Sequence, residues 1–369
     1  MSTLSEGNVL APLTRVPPRA GLHGWLRRHV IATPLDAALA AVLLILAAYA
    51  LPGAIRWAIT DSVVSGDTPS ACAGAGGACW AVVTHHARVI VFGLYPYAEQ
   101  WRAGLALALV ALALATTFWL GIGRLQWVAA LWLSVVVAFV VLVGGGVFGL
   151  KAVPTDEWGG LALSLYVFML TLVIGFPLAV LLALGRASRL PVLRVVCTGA
   201  IEIVRALPIL TILFCAAIVV PLMLPQWLTP GKSYRVILAM AFFYACYQAE
   251  IIRGGLQGVP SGQMLAALSL GLTPLQCRIL VELPQALRYT VPATINQVVV
   301  ALKDTSMLLV VGLFDFMASA NTAISKDEWV RYFTELYLFV AAVFLVLTSV
   351  IAALQRRFGG PAESAHGRH

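Results

Sequence analysis

The stretch PSGQMLAALSLG (residues 260–271), followed at once by LTPLQCRILVELP (272–284), is a punctuated island between two long apolar segments. Ser261 is placed to cap a first short helix, and Gly271 to end it in the left-handed conformation that a side chain penalises. Thr273 then caps a second helix. Pro274 falls at the first helical position, and Gln276, three residues after the cap, completes a capping box. Pro284 is expected to stop that helix. So dense a set of starts and stops describes a rigid hairpin lying on a surface. Met264, Leu265, Leu268 and Leu270 offer apolar grip, and Ala266 and Ala267 allow close approach, as in a short helix that docks into a partner's groove. A hairpin packed on its own bundle uses the same residues, so both readings stand at this point.

The rest of the chain explains why such a hairpin would be exposed. The 369 residues are 61% hydrophobic and 11% charged, with mean hydropathy +0.93. A soluble domain carries roughly 25% charged residues. Several stretches reach the roughly 20 apolar residues that cross a bilayer as a helix. The alternation of a barrel is absent, so helices must satisfy the backbone in lipid. The expected class is an all-α integral membrane protein with about eight transmembrane helices. These fall near 35–55, 103–121, 127–149, 160–184, 200–222, 234–254, 290–318 and 333–354. Gly175 and Pro177 are expected to bend the fourth.

Net charge is +8, but the arginines sit in short segments beside the spans, which carries topology information and excludes a nucleic-acid face. Arg124, the cluster 186–194, Arg253, Arg278, Arg288 and Arg356-Arg357 fall on one side of the expected membrane. The positive-inside rule makes that side cytoplasmic, together with both termini and the hairpin. The expected division is a cytoplasmic arm over 1–34, lacking a signal peptide; three spans with an outer loop (56–100) over 35–150; a five-span core over 151–356 that carries the hairpin; and a tail over 357–369.

Ionisable groups at mid-membrane are costly and mark function. Lys303 and Asp304 fall in the seventh span. A helix broken at Lys303–Ser306, with Asp304, Thr305 or Ser306 capping its second half, would turn a half-helix N-terminus toward an anionic substrate group. The competing reading is a stabilised bend. Asn296 and Gln297 either line a pathway or bond between helices. Glu202 with Arg205, and Glu250 with Arg253, are spaced three apart, so each pair can meet on one helix face. Each is either a helix-end pair or a cytoplasmic gate. Cys72 and Cys79 lie in a glycine-rich outer segment where a disulfide or two thiols are both possible; the other cysteines read as packing residues.

Gly262-Gln263, Ala266-Ala267, Leu270-Gly271 and Ile279…Leu283-Pro284 resemble the EAA loop of ABC importer permeases. E-x-x-R-x-x-P at 202–208, E-x-x-R-G-G at 250–255 and K-D-T-S at 303–306 resemble the polar amino-acid branch, of the general L-amino-acid type. The resemblance implies a type I importer permease core whose coupling helices, through Gly262, Gln263, Leu265, Ala266, Ala267, Leu268, Leu270 and Gly271, enter an ATPase. It implies a second homologous permease, two ATPase subunits that hold ATP and magnesium, and a periplasmic amino-acid-binding protein, in a bacterial inner membrane. Leu265 stands where the loop's name-giving glutamate is expected, which removes any salt bridge that glutamate would make. This chain has no phosphate-binding glycine loop and no nucleophile–base or metal-ligand pattern, so a transport subunit without cofactor or catalysis is expected. The alternative is an ion-coupled secondary amino-acid transporter or channel.

Overall fold

The computed structural model describes residues 30–120, 125–325 and 328–358. Most of the N-terminal arm, including Arg27 and Arg28, lies outside them, as do Arg124 and the end of the tail. Contacts divide the described chain into two units. One holds the residues up to Val63 with Gly74–Ala78; the other holds Val64–Ala73 and everything from Cys79 on.

In the first unit, α1 (Pro34–Ile55) starts at a capping box. Thr33 Oγ1 accepts from Asp36 N at 3.1 Å, and Asp36 Oδ2 accepts from Thr33 N at 3.0 Å. Its axis continues in wide π turns over Arg56–Thr60.

The second unit begins with α2 (Ala81–Phe92), a 12-residue helix inside the segment read above as an outer loop. The pair α3 (Gln100–Leu120) and α4 (Leu125–Gly144) follows. The central element is α5 (Gly160–Arg186), which packs along α8 (Lys232–Gln257). Gly175 is a point of close helix contact. A side chain there would come within 2.8 Å of Ala241 O and 2.7 Å of the Tyr244 ring. The helix stays unbroken through Pro177.

Among the described residues, six helices are long and apolar enough to cross a membrane, or seven if one bent pair counts as a span, against the eight expected. That pair corrects the expected span at 200–222. Helix α6 (Pro191–Ala206) ends two residues before Pro208, and α7 (Ile209–Met223) leaves at 106°. The residue before a proline is driven out of the helical region, and Leu207 is accordingly extended. A π turn at Cys215–Val219 in α7 frees the carbonyls of Ala216 and Ala217; Arg235 of α8 donates to them at 2.9 and 3.0 Å.

The hairpin follows as α9 (Ser261–Ser269) and α10 (274–289). The segment expected as a span at 290–318 is also interrupted and is not among those helices. Helix α11 (Val291–Asp304) passes into a tighter turn over Thr305–Leu309, and α12 (Phe316–Ile324) starts eleven residues after Thr305. The chain closes with α13 (Phe333–Phe358).

A buried polar stitch joins the start of α5 to the start of α12. Gly160 N donates to Phe314 O at 2.8 Å and to Ser319 Oγ at 3.0 Å, and Phe316 N donates to Ser164 Oγ at 2.9 Å. The fully buried Asp315 caps α12, accepting from Ala318 N and Met317 N at 3.0 and 3.1 Å. On α3, fully buried Arg102 donates to Leu142 O and Lys151 O at 2.6 and 2.9 Å, which pins the connection from α4 to α5. A disulfide links Cys72 and Cys79, and Cys79 N donates to Glu335 of α13 at 3.1 Å.

Candidate functional site

The hairpin is built largely from its local signals. Thr273 caps α10 with Gln276 in a reciprocal box, and Pro274 stands at the first position. Gly271 takes φ +81°, a conformation that costs a side chain roughly 1 kcal/mol or more. Two expectations fail. Pro260, not Ser261, occupies the cap of α9, and no side chain caps that helix. Pro284 does not stop α10. The helix widens into π turns over Cys277–Glu282 and continues as α-helix over Leu283–Tyr289. In a regular α-helix the proline ring meets the carbonyl four residues back, and a wider turn is one way a helix accommodates it.

Only Ala267 of the predicted contact residues is buried. Gly262, Gln263, Leu265, Ala266, Leu268, Leu270 and Gly271 are exposed, with Leu265 at 64% and Leu270 at 84%. Leu275 and Leu280 extend this apolar face onto α10. Replacing Thr273 by alanine removes the box at a cost of about 1 kcal/mol. Amide exchange over 274–282 is expected to rise about fivefold, the equivalent of that loss, which hydrogen-exchange mass spectrometry reads directly.

The two charged pairs expected from spacing are rearranged. Glu250 is a hub. It pairs with Arg253 on its own helix, with Arg186 Nη1 from the end of α5 at 3.0 Å, and with Arg205 Nη1 from α6 at 3.6 Å. Glu202 pairs with Arg186 Nη2 at 3.2 Å, not with Arg205. The hairpin joins this group through Arg278 of α10, which donates to Ala187 O just past α5. Thus α5, α6 and α8 are tied within one ionic cluster, and α10 is attached to its edge by that hydrogen bond. Burial of the Glu250 side chain, 18% exposed, makes its charge depend on these partners.

The residues of the interrupted span are not part of that cluster. Thr305 Oγ1 and Ser306 Oγ donate back to Leu302 O and Lys303 O at 2.7 and 2.8 Å. Their backbones and that of Asp304 remain helical, so none of the three caps a second helix; extended Asp315 does so instead. Among the described residues, no hydrogen bond or ion pair engages the side chains of Lys303 or Asp304, and Lys303 is exposed. Asn296 is exposed and Gln297 buried, so they serve different faces of α11. The bond between α8 and α11 is made by Gln248 Nε2 and Thr294 Oγ1 at 2.8 Å, two residues the sequence did not single out.

A family model described as "binding-protein-dependent transport system inner membrane component" matches residues 175–360, a range that holds the charged cluster, the hairpin and the interrupted span. The chain belongs to this family. The permease is 33% identical to the inner membrane amino-acid ABC transporter permease protein YhdY of Escherichia coli, over 89% of its own length and 92% of that chain's. It is 30% identical to the glutamate/glutamine/aspartate/asparagine transport system permease protein BztC of Rhodobacter capsulatus, over 92% and 93%. Both alignments extend well beyond the family match, into the spans before residue 175. A solved structure described as an amino acid ABC transporter with histidines matches 54% of the permease and 92% of that chain, at 30% identity and TM-score 0.48. The permease is a multi-pass protein of the inner membrane, and family membership speaks against a stand-alone secondary transporter.

Proposed function

We propose that this chain is a permease subunit of an ATP-driven importer carrying amino acids from the periplasm to the cytoplasm, coupled to separate ATPase subunits through residues 260–284. The observation that carries this reading is the hairpin: a doubly punctuated element presenting Leu265, Leu268, Leu270, Leu275 and Leu280 outward and tied at its base to the span ends through Arg278. The names of its relatives supply the amino-acid class. In this reading both termini and the hairpin face the cytoplasm. Residues 151–356 form the transport core, and the spans within 35–150 are an addition to it. The partners are a second permease, two ATPases that hold ATP and magnesium, and a periplasmic binding protein.

Closure of the ATPases displaces the hairpin, and the ionic cluster passes that displacement to α5, α6 and α8. An amino acid crosses where α11 meets the partner permease. There Lys303 answers the substrate carboxylate and Asp304 its ammonium group, while Asn296 lines the approach. With Leu265 in place of a glutamate, coupling at the hairpin is apolar.

The test is ATP-dependent uptake of labelled amino acids by the reconstituted complex. Leu265→Lys with Leu270→Lys places two charges on an exposed apolar face and leaves the fold intact. It is expected to strip the ATPase from the complex and abolish uptake. Full coupling in that variant contradicts the assignment of the hairpin, and unchanged uptake in Lys303→Met removes the substrate role of Lys303.

A further inference from the structure

Beside Glu250 lies a cleft of about 390 Å³. Arg186 enters it from the end of α5, Arg253 and Gln257 from the end of α8, and Arg278 and Glu282 from α10. Three guanidiniums therefore face one lining carboxylate. A guanidinium carries five N–H groups, and the contacts within the protein leave several unused. Arg253 reaches Glu250 through Nε and Nη2, and Arg278 uses Nη1 on Ala187 O. Arg253 Nη1 and Arg278 Nη2 have no bonded partner among the described residues. Glu282 lies 4.0 Å from Arg278 Nε, the limit of an ion pair. The cleft thus offers unused, fork-shaped donors in a cavity large enough for a phosphate group, and the four arginines of the group (Arg186, Arg205, Arg253 and Arg278) outnumber Glu202, Glu250 and Glu282 by one.

Such donors match phosphate oxygens in geometry and charge. Basic pockets between membrane helices at the cytoplasmic surface hold anionic head groups. We infer that this cleft binds the phosphodiester head group of an anionic phospholipid of the cytoplasmic leaflet. The leaflet rests on the orientation proposed above; the phosphate chemistry does not. Because its walls come from α5, α8 and α10, an occupied cleft stiffens the joint between the hairpin and the spans, which makes the lipid a regulator of coupling.

Native mass spectrometry of the full complex tests this. The complex is taken from nanodiscs of phosphatidylcholine alone or with phosphatidylglycerol. The wild type is expected to retain one more phosphatidylglycerol for each copy of this chain than Arg278→Gln does. Arg278→Lys, which keeps the charge, is expected to retain it more often than the glutamine variant. Arg194→Gln, outside the cleft, is expected to match the wild type. Equal retention in wild type and Arg278→Gln overturns the inference, as does an equal loss in Arg194→Gln, which marks diffuse attraction.

Hydrogen exchange of the wild type gives a second reading that needs no variant. Phosphatidylglycerol is expected to slow exchange over 253–258 and 277–282, and inorganic phosphate added to phosphatidylcholine nanodiscs is not. No slowing by the lipid, or equal slowing by inorganic phosphate, contradicts a lipid site. Neither readout uses uptake, so a failure here is distinct from a failure of the transport reading.

Discussion

Glu250→Gln is expected to lower ATP-dependent uptake at least about tenfold, the rate equivalent of roughly 1.4 kcal/mol, while the complex still assembles. The substitution keeps the shape and removes the one charge on which Arg186, Arg205 and Arg253 converge. A buried pair broken on one side loses roughly 3–5 kcal/mol. The loss here is expected near 1–3 kcal/mol, because Arg205 and Arg253 remain partly in solvent and are screened there. That is too little to unfold a helical bundle and enough to let the ends of α5, α6 and α8 part from one another. A double-mutant cycle with Arg186→Gln separates the cluster from two unrelated defects. Residues sharing one network couple, so the double variant is expected to lose clearly less than the sum of the singles. Additive losses would show that Arg186 and Glu250 act independently.

Gly160→Val is expected to prevent accumulation of folded permease. Gly160 has φ +63°, a region that a β-branched residue enters only under strain. A Cβ there would also overlap the carbonyl of Val91. The residue cannot shift away without breaking its bonds to Phe314 O and Ser319 Oγ. Strain, overlap and lost buried hydrogen bonds together place the cost above about 4 kcal/mol, at the exceptional end for one substitution. The yield of monodisperse protein in mild detergent checks it. Gly53, with open space around it, is the comparison: Gly53→Ala is expected to purify like the wild type.

What could be read from the sequence was mostly local. The capping box at Thr273 and the left-handed Gly271 depend on residues within four positions of one another, and the structure contains both. Spacing of three correctly put Glu250 beside Arg253. It could not show that Arg186 reaches Glu250 across 64 residues, nor that Glu202 prefers Arg186 to its near neighbour Arg205. Those choices follow from how α5 crosses α6 and α8. Arg186 was visible only as a topology signal, because an arginine at a span end looks the same whether it meets head groups or a carboxylate.

Proline was the least transferable signal. Pro208 broke a span that average hydropathy joined, because an apolar window does not register a chain reversal. Pro284 was absorbed by π turns that no local rule anticipates. The second half of the interrupted span begins at Asp315, an acid preceding an apolar run and thus legible as a cap. Attention to Lys303 and Asp304 placed the start too early.

A hairpin that serves an ATPase should hold that ATPase through purification. The most direct measurement is to purify the tagged full-length permease from its native membrane in mild detergent and identify the proteins that accompany it by mass spectrometry. An ATPase and a second permease are the predicted companions, and the complex should hydrolyse ATP as it imports an amino acid. A permease that purifies alone or only with copies of itself, and still moves an amino acid without ATP, would contradict the account.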